Sequence, residues 1–137
     1  MLADGETLAD RRAVELQAAC DILGVQRLEF LGYGDSGMEN TATNDDPGCF
    51  WQADVEEAAE RLAAILREEA ADIFTCYDDH GGYGHPDHIQ VHRVGHRAAE
   101  LAGVQRVYES TMNRDSITQL MEMAGELGED VPDPPDA

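Results

Sequence analysis

The sequence predicts an α/β fold with a largely parallel sheet. Two observations carry this. Helix-period and strand-period segments alternate along the chain. The segment Ile73-Phe74-Thr75-Cys76-Tyr77 is nearly all apolar, as strands buried on both faces are. At 137 residues the chain is expected to form one domain over residues 1–130, followed by a disordered tail at 131–137 rich in Pro and Asp.

Each element has its own local reason. Thr7 is the N-cap expected for a first helix from Leu8 to Leu23, with Ala13, Leu16, Cys20 and Leu23 on one face and Gly24 as its stop. A strand is expected near Arg27–Leu31. The polar stretch Gly32–Phe50 reads as a long loop, and loops of that length in compact domains are usually functional or mobile. Asp54 with Glu57 reads as a capping box for a second helix reaching about Glu69, with Val55, Ala58, Leu62, Ile65 and Leu66 inward. After the Ile73–Tyr77 strand, a third helix should start near Asp87 and run to Ala102, stopped by Gly103. Val104–Ser110 should be another strand. Asp115 should cap a fourth helix with Ile117, Leu120, Met121, Ala124 and Leu127 inward.

Charge narrows the function classes. Twenty-nine acidic residues against nine basic ones give a net charge of −20. Such a surface is repelled by phosphate backbones and anionic membranes, so neither nucleic acid nor membrane is an expected partner. No apolar run approaches bilayer length, and the N-terminus lacks the basic and apolar regions of a secretory signal, so a cytoplasmic location is expected. The cysteines are Cys20, Cys49 and Cys76. Their odd number and irregular spacing argue against a disulfide framework or a thiolate zinc site. Cys20 and Cys76 should pack as small apolar residues, and Cys49 should lie in a loop open to solvent.

All five histidines fall between His80 and His96, most of them in Tyr77-Asp78-Asp79-His80-Gly81-Gly82-Tyr83-Gly84-His85-Pro86-Asp87-His88. This block follows a buried strand, and open parallel sheets bind ligands beyond the carboxyl ends of their strands. Pro86 suits the first turn of a helix, which places His88 where its ring turns back toward the strand ends. Neutral imidazole there is a good metal ligand. Asp87 is placed to orient a neighbouring imidazole, and Tyr83 to donate toward a developing oxyanion. His88, His92 and His96 also share a helical face. No HExxH carboxylate accompanies them, and Arg93 and Arg97 beside them suggest a solvated face.

Three segments resemble the LmbE-like, or PIG-L, N-deacetylases, and within them the mycothiol deacetylase and mycothiol-conjugate amidase branch. Arg11-Arg12-Ala13-Val14-Glu15-Leu16 is similar to an early helix of that family. Leu31-Gly32-Tyr33-Gly34-Asp35-Ser36-Gly37-Met38 resembles its LGxxDSGM loop. Tyr77 through His88 resembles its YDxxGGYGHPDH block, the most specific of the three. The resemblance implies a Rossmann-like three-layer α/β/α fold and a divalent metal, usually zinc. It implies hydrolysis of an acetamide or related amide on an amino-sugar or thiol-conjugate substrate, in which the metal activates water and polarises the carbonyl. It assigns His88 to the metal and His85, Asp87 and Tyr83 to catalysis. Arg12 and Asp35 would hold substrate.

The family also carries a strand ending in a His-Pro-Asp-Asp-Glu type motif that gives two metal ligands and a general base. This sequence contains no such motif, and it lacks the family's C-terminal portion. Catalytic zinc needs about three protein ligands. The expectation is therefore an incomplete domain, inactive and of low stability alone, working as part of a longer protein or with a complementing chain or homo-oligomer. A non-catalytic sugar-binding or regulatory module of the same fold is the alternative.

Overall fold

A computed structural model of the chain describes residues 5–111, together with Asn113, Asp115, Thr118, Gln119 and Met123. The chain forms two compact units, Met1–Phe30 and Leu31–Ala137.

The first unit is built on helix α1, Leu8–Leu23. The Thr7 hydroxyl accepts the Asp10 amide, and the Asp10 carboxylate accepts the Thr7 amide, closing a reciprocal cap. Gly24 ends the helix in the left-handed conformation. Local caps thus account for the helix. Its apolar face is another matter: Cys20 is buried, whereas Leu16 is 42% and Leu23 79% exposed. The expected inward stripe is corrected to a single buried position, because caps fix a helix locally while burial needs a packing partner. The strand expected at Arg27–Leu31 is also corrected. Those residues carry no ladder, and extended backbone becomes a strand only when a neighbour accepts its hydrogen bonds.

In the second unit the polar loop closes on itself. Gly34 and Cys49 form an isolated parallel bridge, with the Gly34 amide on the Gly48 carbonyl and the Phe50 amide on the Gly34 carbonyl, both at 2.9 Å. Two short 3-10 turns, Ala42–Asp45 and Phe50–Gln52, shape the remainder. Cys49 is 2% exposed. The expectation of an open Cys49 fails because the bridge pulls it inward.

Helix α2 runs Val55–Glu68, with the Asp54 carboxylate accepting the Glu57 amide. Strand β1 is Ile73–Tyr77. A kinked helical turn, α3, spans Gly81–Gly84, and helix α4 follows at Pro86–Ala102, ended by left-handed Gly103. Strand β2 is Arg106–Ser110, two residues shorter than expected at its start. β1 and β2 pair in parallel with Ile73 opposite Arg106 and Tyr77 opposite Ser110. This α/β arrangement with a small parallel sheet matches the predicted class. The expected fourth helix and tail lie largely outside the described residues; of the few described there, Asp115, Thr118, Gln119 and Met123 are helical.

The core lies between α2 and α4. Ala58, Ala59, Ala63, Leu66, Val94 and Ala98 are buried there, with Phe50, Phe74 and Leu101 packed around them. Alanine on both helices lets the backbones approach closely. Gly95 does the same against the sheet: a Cβ there would stand 2.7 Å from the Phe74 ring. At the surface, Arg97 grips Glu56 through Nε and Nη2, each at 2.8 Å, tying α4 to α2.

Candidate functional site

The carboxyl end of β1 opens into the histidine-rich block. Asp78 begins it: its carboxylate accepts the Gly82 amide at 2.8 Å. That bond, and next the Thr111 hydroxyl, hold the Asp78 carboxyl below the ordinary aspartate range. Gly81 follows with φ of 62°. A Cβ there would come within 2.8 Å of both His88 Cβ and the Ile89 amide nitrogen. Only glycine allows both this turn and this approach of α4.

His85 caps α4. Its Nδ1 accepts the Asp87 amide at 3.2 Å. In the neutral ring the proton then sits on Nε2, which becomes a donor. His88 has the opposite polarity. Its Nδ1 lies 3.2 Å from the Gly81 carbonyl. A carbonyl only accepts, so Nδ1 carries the proton and Nε2 keeps a lone pair. The His88 ring stacks on Tyr77 at 4.0 Å and 4°, and lies 4.8 Å from the His85 ring. Tyr83 meets His88 edge-on at 5.1 Å and is 54% exposed. Two half-buried imidazoles, one a donor and the other a lone-pair base, thus stand side by side at a strand terminus.

The second loop joins them. Ser36, fully buried, gives its amide (3.0 Å) and its hydroxyl to the Asp87 carboxylate. Asp87 therefore meets His85 through its backbone amide, while its carboxylate holds Ser36. The Ser36 hydroxyl in turn accepts the Trp51 amide at 2.9 Å, and its carbonyl accepts from Thr43 and Asn44. This places Asp35 with the histidine block: donor atoms of Asp35, His85 and Asp87 lie within 4.8 Å of one another. Ser36 is a site-building residue that sequence reasoning missed, although it stands inside the DSGM segment.

Arg12 is on α1, exposed, and pairs with Glu15 at 3.3 Å. His80 is exposed beside Asp79. The His88, His92, His96 stripe divides. His92 turns to the Tyr77 carbonyl at 3.2 Å, and His96 to Glu109 at 2.8 Å. Burial, and next the Glu109 carboxylate, pushes the Cys76 thiol above its ordinary value.

The fold and the site define an α/β protein with a histidine-rich cluster at the carboxyl end of its sheet, whose side chains include groups that could hold a metal. The chain belongs to the PIG-L family, described as GlcNAc-PI de-N-acetylase, which matches residues 2–99. Curated relatives named 1D-myo-inositol 2-acetamido-2-deoxy-alpha-D-glucopyranoside deacetylase agree. The one from Thermobifida fusca is 56% identical over 66% of this chain and 33% of its own length. That from Nocardiopsis dassonvillei is 54% identical over 71% of this chain and 36% of its own. That from Geodermatophilus obscurus is 40% identical over 93% of this chain and 49% of its own. The chain thus spans about a third to a half of the length of these relatives. Among the described residues, no helix is long and apolar enough to cross a membrane.

Proposed function

We propose that this chain carries part of the active site of a metal-dependent, cytoplasmic N-deacetylase. Its substrate would be a small N-acetylated amino sugar of the kind named for its relatives, or a related thiol conjugate, and its full domain a Rossmann-like three-layer sandwich. The observation that carries this reading is the opposed polarity of His85 and His88. The donor set fits a metal: His88 presents a neutral Nε2 with its other nitrogen anchored on a carbonyl, the usual support of a metal-ligating histidine. Zinc, bound there, would polarise the acyl carbonyl and acidify water. His85 offers a protonated Nε2 to the developing oxyanion, as an N–H donor fixed by its cap contact. Tyr83, exposed and edge-on to His88, would supply a second donor, its hydroxyl. Asp87 fixes the Asp35 loop through Ser36. Asp35 is then positioned for sugar hydroxyls, and Arg12 is assigned to the same task.

His88 is one ligand of the three that catalytic zinc requires. The remaining ligands are assigned to a His-Pro-Asp-Asp-Glu strand like that of the family. The test is amine release from the N-acetylglucosaminyl-inositol substrate. The bare chain should release none. The chain joined to such a strand from a relative should be active, and His88→Ala should abolish that activity. A bare chain that hydrolyses the substrate would overturn the ligand assignment.

A further inference from the structure

The stripe that α4 shows along His92 and His96 does not belong to the His85 and His88 cluster described above. Two strand residues meet it from below. Cys76 on β1 and Glu109 on β2 are register partners, so their side chains share one face of the sheet. That face is the one α4 covers: a Cβ at Gly95 would lie 3.4 Å from Cys76 Cβ. The His92 and His96 rings stand 4.5 Å apart. Glu109 Oε1 lies 2.8 Å from His96 Nε2 and 3.3 Å from His92 Nδ1. Donor atoms of Cys76, His92 and His96 all fall within 4.8 Å of one another.

We infer that Cys76, His92, His96 and Glu109 form a second, structural binding site for a zinc-like transition-metal ion, clamping α4 to both strands. The donors are those zinc prefers: thiolate, two imidazoles and a carboxylate. Tetrahedral bonds of about 2.0–2.3 Å set donor separations of about 3.3–3.7 Å, so Cys76, His92 and His96 need a small contraction, and the 2.8 Å contact of Glu109 with His96 a small widening. His92 would ligate through Nε2, because its Nδ1 is held by the Tyr77 carbonyl at 3.2 Å, beside Glu109 at 3.3 Å. Charge balances. The divalent ion replaces the Cys76 thiol proton, which leaves to solvent, and the Glu109 carboxylate supplies the second negative charge. The donor set shares no residue with the cluster of Asp35, His85, Asp87 and His88.

Cobalt(II) is the probe, added to the full 137-residue chain. One equivalent should give tetrahedral visible bands and a near-ultraviolet thiolate-to-cobalt band, displaced by zinc. Cys76→Ser should remove the thiolate band. His96→Gln, at a half-exposed position and so gentle on folding, should weaken cobalt binding by about tenfold or more. Cys20→Ser, Cys49→Ser and His88→Ala should keep the band. Its persistence in Cys76→Ser, its loss in His88→Ala, or the absence of any thiolate band at saturating cobalt would overturn the site.

Discussion

Ser36 and Asp87, fifty-one positions apart, are joined by two hydrogen bonds to one carboxylate. This contact fastens the polar loop to the first turn of α4. Ser36 is wholly buried, and its hydroxyl also receives the Trp51 amide. Ser36→Ala removes a bond to a charged acceptor and leaves that amide short of a partner. The expected loss is about 2 kcal/mol in a urea titration. Asp87→Ala should cost at least as much, because it strands both Ser36 donors. A Ser36→Ala variant as stable as the parent would show that the loop is held by something else.

Gly81→Ala should cost about 1–3 kcal/mol from the left-handed backbone alone. The Cβ contact with the Ile89 amide adds to it, since backbone cannot swing aside as a side chain can. Thermal melts check the loss. The NMR signals of the His88 ring should shift as well, because its Nδ1 partner is the Gly81 carbonyl. A melt and ring signals matching the parent would contradict this account of the turn.

The two imidazoles should differ in tautomer. Long-range nitrogen–proton correlation spectra at pH near 8 should show a protonated Nδ1 for His88 and a protonated Nε2 for His85. The same tautomer in both would remove the basis for giving them opposite roles.

Acid should weaken the fold through Asp78. Its folded-state carboxyl titrates below the ordinary aspartate value, through the Gly82 amide and next the Thr111 hydroxyl. A depressed value means that this stabilisation is complete above the unfolded value of about 3.9, and is lost as pH falls through the folded value. Asp10, lowered by the Thr7 hydroxyl, and Glu56, lowered by Arg97, act in the same direction. Urea midpoints followed from neutral pH into acid should therefore fall less steeply in Asp78→Asn than in the parent. Identical slopes would remove Asp78 from the acid response.

Much of this was legible in the sequence, for reasons that differ by residue. Thr7, Gly24, Pro86 and Gly103 punctuate helices through local contacts, so α1 and α4 could be placed to within a residue. The β1 strand announced itself by composition, and His85 and His88 by their density beside glycine. What stayed hidden depends on distant partners. Arg27–Leu31 has strand-like residues and no ladder. Cys49 looks like a loop residue until Gly34 bonds beside it. Asp87 reads as a carboxylate for its neighbour His85, and only the fold brings Ser36 to take it. Cys76 gives no hint of the imidazoles above it, because they lie on another element.

Gly95 has a role out of proportion to its size. The Phe74 ring occupies the space where its side chain would stand, so the helix has one seat on the sheet. Sliding the helix by one residue would turn it by about 100° and drive Val94 or His96 into that ring. The aim of every imidazole along the helix is therefore indexed by a notch, a position whose contribution is a missing methyl group.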